Sequence, residues 1–266
     1  MRIEPATPAD APSIARISRA AGQPDTDSGA DPAYLAYLLG NGTVRVARDD
    51  DGAVAGWGAT TTGALGNMLS DLFVDPARHG RGVGARLLRA LWPDPAAGRR
   101  FTFSSRHPAA LPLYLRAGLR PAWPLLYLRG PAPAAADSSL TVTPVDAATA
   151  TAADRRLTGA GPAGIYAYRP GDGLLVHHGT RPVAAGTAGR SGLTHLTCPA
   201  GEDATAILRA VLHGLGAAEV SLCLPGPHPA VAWLLGAGFR IEDHDLAMHT
   251  PDVEPPTTWV YSPGLG

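Results

Sequence analysis

Apolar and polar residues alternate in short stretches along this chain, and between those stretches the spacing changes to that of amphipathic helices. A strand over residues 2–5 leads through Thr7, Pro8 and Asp10 into a helix carrying Ile14 and Ile17. After an irregular stretch come strands over 43–48 and 53–60, hinged by a turn at Asp49, Asp50, Asp51 and Gly52. Residues 75–91 then pass from the end of an apolar strand, through a turn rich in glycine and arginine, into an amphipathic helix. From residue 140 the order repeats. A strand over 140–143 is followed by Pro144 and Asp146, then by strands over 173–177 and 182–188 around a turn at 179–181. The later helices match best: Leu87, Leu88, Arg89, Ala90 and Leu91 correspond to Ile207, Leu208, Arg209, Ala210 and Val211. Likewise His107-Pro108-Ala109 followed by Ala117-Gly118-Leu119 corresponds to His228-Pro229-Ala230 followed by Ala237-Gly238-Phe239. The pattern is that of an ancient duplication, with domains at 1–133 and 140–266 and a linker of small and polar residues at 134–139, just after Pro131 and Pro133.

The copies differ most where a ligand would bind. Gly80, Gly82 and Gly84 let the main chain approach a ligand with no Cβ in the way, and the following helix aims its unpaired N–H groups at the same point. Arg78, Arg81 and Arg86 add positive charge. The turn reads as a pyrophosphate cradle; its plainer reading is a tight turn with solvated arginines. With Pro76 and Pro199 taken as equivalent, Arg89 lies 13 residues on but Arg209 only 10. The second copy is three residues shorter there. What remains, Ala200, Gly201, Glu202 and Asp203, would repel phosphate.

The 266 residues suffice for two modest domains. All 22 basic residues are arginine, which excludes Schiff-base chemistry. The net charge of −1 argues against general nucleic-acid binding, but residues 1–133 carry 15 Arg against 11 acids and residues 134–266 carry 7 against 12. The cradle lies in the basic half. No stretch offers the roughly 20 apolar residues of a membrane helix, and the first residues lack a signal-peptide core, so a cytoplasmic location with no membrane partner is expected. Cys198 and Cys223 lie in apolar runs and read as inert thiols. His177, His178, Asp243, His244 and Asp245 lack a third element with ligand spacing, so no metal is expected.

Strand, glycine turn, helix, strand, then a helix ending Leu113-Tyr114-Leu115-Arg116-Ala117-Gly118-Leu119: in this order the elements resemble the GNAT superfamily of acyl-CoA N-acyltransferases. The resemblance is good over 40–128 and weaker over 173–248. It implies an α/β (α+β) fold of two tandem GNAT-like domains, each a mixed, twisted sheet flanked by helices and splayed between its fourth and fifth strands. It also implies acetyl-CoA as cosubstrate, its pyrophosphate on His79-Gly80-Arg81-Gly82-Val83-Gly84 and its pantetheine along the fourth strand at Leu72, Phe73 and Val74. His79 departs from the family's Gln or Arg; because the contact there is largely through backbone N–H, binding is expected to survive, with Arg78 or Arg81 supplying charge. Tyr114 occupies the family's general-acid position. His107 replaces an Asn that relatives use near the cofactor, and a helix-capping His is the other reading.

The base is read from Met68-Leu69-Ser70-Asp71-Leu72-Phe73-Val74. Asp71 is the candidate base or substrate contact, with a structural role as its alternative; Ser70 is placed to hold a water. Strand alternation puts the two on opposite faces unless the strand is bulged. In the second copy Leu234 stands where Tyr114 would be, so that half reads as degenerate, packing on the first and shaping its cleft. Asp25, Asp27 and Asp31, with Tyr34 and Tyr37, either attract a cationic amine or form a solvated loop. The acceptor that the resemblance implies is a small-molecule or peptide amine. The competing functions are a non-catalytic acyl-CoA sensor and an acyltransferase using another acyl-CoA.

Overall fold

The computed structural model describes residues 1–25, 27–63, 65–94, 98–159, 164–168, 173–189 and 192–265. The first half contributes β1 (Arg2–Pro5), α1 (Ala11–Ala20), α2 (Pro32–Asn41), β2 (Thr43–Arg48), β3 (Val54–Gly63), β4 (Gly66–Val74), α3 (Val83–Leu91), β5 (Arg100–Ser104), α4 (Ala110–Arg116) and β6 (Arg120–Pro131). The second contributes β7 (Leu140–Val145), α5 (Ala147–Thr158), α6 (Ile165–Tyr168), β8 (Gly173–His178), β9 (Arg181–Ala188) and β10 (Gly192–Thr197), then α7 (Ala204–Gly214), β11 (Glu219–Pro225), α8 (Val231–Gly236) and β12 (Arg240–His249). Local chemistry accounts for the elements. Asp31 accepts from the Ala33 N–H and Pro32 presets the first turn of α2. On α3, Val83, Leu87, Leu88 and Leu91 are buried at helical spacing.

The twelve strands form one sheet in the order β1-β2-β3-β4-β5-β12-β6-β11-β10-β9-β8-β7. Each half has lent its last strand to the other. β12 lies antiparallel on β5, from Leu246 opposite Ser104 to His249 opposite Phe101, whereas β6 pairs with β11, from Glu219 opposite Pro131 to Pro225 opposite Leu125. β6 and β12 then pair with each other at the centre. The cores cross the halves in the same way. Leu128 packs among second-half residues, while Ala247, Val253, Trp259 and Tyr261 pack on Met68, Phe101 and Phe103. Ala150, Ile165, Tyr166 and Leu265 join Ile14, Ile17, Tyr34 and Trp57.

Two pairs in the sheet are parallel, and both come apart. β4 and β5 are in register at Asn67–Arg100, Met68–Phe101 and Leu69–Thr102 and separate beyond. β10 and β11 pair at Gly192–Ser221 and Leu193–Leu222. A bulge sits at each parting. Ala59 opposes Asp71 and Thr60 opposes Leu69, leaving Ser70 extra; Thr187 opposes His195 and Ala188 opposes Leu193, leaving Thr194 extra.

Because each half's core is completed by the other's strand, cutting the linker does not free them. A protease site introduced within 134–139 and cleaved should give two fragments that co-elute on native gel filtration and separate only in denaturant. Independent elution would contradict the exchange.

Candidate active site

The glycine turn lies where β4 parts from β5. Gly80 and Gly82 have φ of +75° and +73°, and an added Cβ would meet nothing within 4 Å, so glycine is required there by backbone conformation and not by crowding. Gly82 is the residue before α3, and no side chain caps the helix. Its first N–H groups therefore face the opening with the positive end of the helix dipole. Of the arginines expected to help, Arg78 is tied to Asp49 at 2.5 Å and Arg86 reaches the Met1 carbonyl at 3.4 Å. Arg81 is exposed and has no ion-pair partner among the described residues. His79 Nε2 lies 3.0 Å from the Val74 carbonyl, and its ring meets that of His107 edge-on at 5.3 Å. His107 Nδ1 accepts from the Ala109 N–H at the start of α4, the capping geometry that His228 repeats with Ala230. Leu72 and Val74 point their side chains under α3 while Phe73 packs on Trp57, which leaves the outer main-chain edge of this segment without a β5 partner.

On the opposite face of β4, the bulge settles the question of alternation. The extra residue lets Ser70 and Asp71 lie on one face: Ser70 Oγ is 3.1 Å from Thr61 Oγ1, and Asp71 Oδ2 accepts from Tyr34 Oη at 2.8 Å. Asp71 is 7% exposed, and burial raises its carboxyl to about 7 against the smaller lowering effect of the Tyr34 hydrogen bond. Burial and the Asp71 charge together hold the Tyr34 phenol well above its ordinary range. Tyr114 is buried among Leu69, Leu88, Leu91, Leu119 and Met248. Its hydroxyl is raised by burial and then by the charges of Asp245 and Asp71, which places it in the field of both carboxylates. Asp245 comes from the exchanged β12, accepts from Tyr127 Oη at 2.6 Å and is itself raised by burial. The three loop aspartates hold structure: Asp25 pairs with Arg19, Asp31 caps α2, and Asp27 and Asp31 accept from Tyr168 Oη at 2.6 and 3.0 Å.

In the second half the corresponding cleft is closed. Asp203 accepts from the Thr205 and Ala206 N–H groups and so caps α7 where α3 is bare. The chain after β12 fills the parting of β10 and β11. Leu196 and Val260 exchange backbone hydrogen bonds of 3.2 and 2.9 Å, Tyr261 N donates to the Cys223 carbonyl at 3.1 Å, and Thr258 Oγ1 donates to the Cys198 carbonyl at 2.8 Å. Leu234, the counterpart of Tyr114, is fully buried and carries no hydroxyl. By register His195 is the counterpart of Asp71, and it lies sealed beside Asp154, Thr197 and Tyr166. Among the described residues no group of three His, Cys, Asp or Glu side chains is arranged to hold a metal, and no helix is long and apolar enough to cross a membrane.

A family model described as an acetyltransferase (GNAT) domain matches residues 40–120, which hold the glycine turn, Asp71 and Tyr114. Residues 40–120 are a GNAT domain. A mycothiol acetyltransferase from Amycolatopsis mediterranei (strain U-32) is 41% identical over 80 residues, 29% of this chain; the match spans 27% of that relative's length. Over the whole chain the fold is shared with solved structures. A proposed acetyltransferase from Pyrococcus horikoshii superposes with a TM-score of 0.74 at 15% identity, covering 98% of this chain and 93% of its own. A tandem GNAT protein from the clavulanic acid biosynthesis pathway superposes at 0.59 and 13% identity, covering 94% and 98%. Around the GNAT domain, sequence reasoning missed the Tyr34–Asp71 bond, Asp245 with Tyr127, and the C-terminal filler. Tyr34 carried a faint signal, since the Asp31-Pro32 helix start turns it inward; the others depend on the strand exchange.

The raised Asp71 makes stability pH-dependent with a definite sign. A carboxyl that binds its proton more tightly folded than unfolded favours folding below about pH 4, and that contribution is lost as pH rises through about 7. Asp71→Asn should therefore match the parent near pH 4 and exceed it by up to about 4 kcal/mol at pH 8, at about 1.4 kcal/mol per pKa unit. Urea denaturation at a series of pH values checks this, and a gain that shrinks with rising pH would contradict it.

Proposed function

We propose that the chain is an N-acetyltransferase that moves an acetyl group from acetyl-CoA to a primary amine by direct attack in a ternary complex. The observation that carries the reading is the bulge at Ser70, which turns Asp71 to one face of β4 at the point where β4 leaves β5, with bare α3 amides at the other end of the opening. The cosubstrate's pyrophosphate would rest on the turn at Gly80, Gly82, Val83 and Gly84, with Arg81 beside it and the pantetheine arm along Leu72, Phe73 and Val74. His79 and His107 border that path. Asp71, with a pKa near working pH, takes a proton from the ammonium directly or through a water held at Ser70. The amine lone pair forms a C–N bond to the thioester carbon and the C–S bond breaks. Tyr114, un-ionised throughout the neutral range, gives its proton to the departing sulfur, and the second proton shed by the nitrogen as the tetrahedral adduct collapses to the amide restores the phenol.

A small-molecule amine acting in the cytoplasm is the proposed acceptor, because Asp71 and Tyr34 lie beneath a nearly closed face and two carboxylates, Asp71 and Asp245, flank Tyr114. The second half does no chemistry of its own on this reading; it supplies β12, α6 and the C-terminal segment to the first half's site. Holding amine and thioester in attack geometry contributes roughly 7 to 11 kcal/mol, and one positioned acid or base about 10² to 10⁴-fold.

Tyr114→Phe should lower kcat by about 10²-fold or more while leaving acetyl-CoA affinity nearly unchanged, whereas Gly82→Glu should abolish that affinity. Thiol release and calorimetry separate the two. In the parent, kcat/KM should rise with pH and level off above about 7 as Asp71 ionises. Tight acetyl-CoA binding with no thiol release for any amine would point to a sensor and overturn the enzymatic reading.

A further inference from the structure

Beyond Val260 and Tyr261, seated in the second half's cleft, the chain crosses to the acceptor side of the first. Leu265 N donates to the Ser262 carbonyl at 3.2 Å, closing a turn, and the Leu265 side chain is 3% exposed among residues of α1 and α2. This brings the Gly264 carbonyl to 3.3 Å from Tyr34 Oη, the hydroxyl that stands 2.8 Å from Asp71 Oδ2. The approach needs glycine, because a Cβ at 264 would lie 2.5 Å from that same oxygen. A phenol has one proton to donate, and here two acceptors face it. We propose that residues 262–265 tune the acceptor-site base by competing, through the Gly264 carbonyl, for the single proton of Tyr34.

When Tyr34 donates to Asp71 the carboxylate form is stabilised and the base is weaker; when it donates to Gly264, Asp71 holds a proton more tightly. The ionisable groups facing Asp71 are few. Tyr34 comes from α2 and Tyr114 from α4; behind Tyr34 stand Tyr168 of α6 and Asp27 before α2, and beside Tyr114 stands Asp245 of β12. The β3 residue opposite is Ala59, Ser70 meets the Thr61 hydroxyl, and residues 262–265 carry no ionisable side chain. The segment therefore acts on Asp71 through the Tyr34 proton and by excluding water, and removing it lowers the Asp71 pKa on both counts. Tyr34 and Gly264 are in this sense positioning residues for the base.

The proposal rests on the acetyl-transfer reading for its consequence, but not for its test. The Asp71 carboxyl is titrated by ¹³C NMR, assigned with Asp71→Asn, in the full chain and in a chain ending at Tyr261. The midpoint should fall by about half a pH unit or more on truncation, and the acid limb of kcat/KM should move with it. Tyr34→Phe should move the midpoint up. In the Tyr34→Phe background truncation should give a clearly smaller fall, because only the water-exclusion part remains. Should the truncated chain fail to fold, Leu265→Ala, which removes the segment's anchor, should give the same downward shift. An unchanged midpoint, or an equal fall with and without the Tyr34 hydroxyl, would overturn the proposal. Inactivity toward every amine with the midpoints behaving as expected would instead sink the acetyl-transfer reading alone.

Discussion

Parallel pairing between β4 and β5 ends at Leu69, and the position of each proposed site group follows from that parting. Strands that pair only at their first residues leave main-chain donors and acceptors along the open part, and such groups need a partner. In the first half the opening is where the proposed cosubstrate would lie: the bulge at Ser70 redirects Asp71 to one face, and α3 offers bare N–H groups at the far end. In the second half the same parting, after Leu193 and with the same bulge, is satisfied internally by Val260 and Tyr261. One geometric constraint has thus been resolved in two ways, once by vacating the cleft and once by filling it with the chain's own backbone.

The exchange of β6 and β12 turns two repeats into one object. Because β12 borders the first half's opening, it brings Asp245 beside Tyr127 and toward Tyr114 and Asp71, all of them more than a hundred positions away in the chain. The absence of the glycine turn, of a counterpart to the Tyr114 hydroxyl and of an open cleft from the second half has not made it dispensable. It supplies a strand at the centre of the sheet, a helix whose Tyr168 ring lies 5.7 and 5.8 Å from those of Tyr34 and Tyr37, and the segment that brings Gly264 to Tyr34.

Burial sets the proton affinities of this site more than pairing does. Asp71 has no cation beside it among the described residues, so desolvation carries it to about 7, with Tyr34 limiting the rise. Tyr114 is pushed upward by the same loss of water and by two nearby carboxylates. On the proposed reading, a carboxyl near neutrality and an un-ionised phenol on either side of one opening are the division of roles that acid–base catalysis of acyl transfer needs.

What the sequence determined by itself was local. The glycines at 80 and 82, the amphipathic face of α3, the matched His-Pro-Ala sequences at 107 and 228, and the acidic Glu202-Asp203 where the first half has its glycine turn are legible in the order of the residues alone; that both histidines and Asp203 cap helices came from the structure. Equally legible are the duplication and the strand pairs around Gly52 and Gly179. The sequence also stated the condition under which Ser70 and Asp71 could share a face, without deciding it, because a bulge depends on the register of the partner strand. Only the tertiary structure decided which sheet edge β6 and β12 complete, that Tyr34 meets Asp71 across 37 positions, and that residues after His249 plug one cleft and reach the other. The reason is physical: a strand's alternation says which face is apolar but not which free edge it will join, and that choice is made by the edges the rest of the fold leaves open.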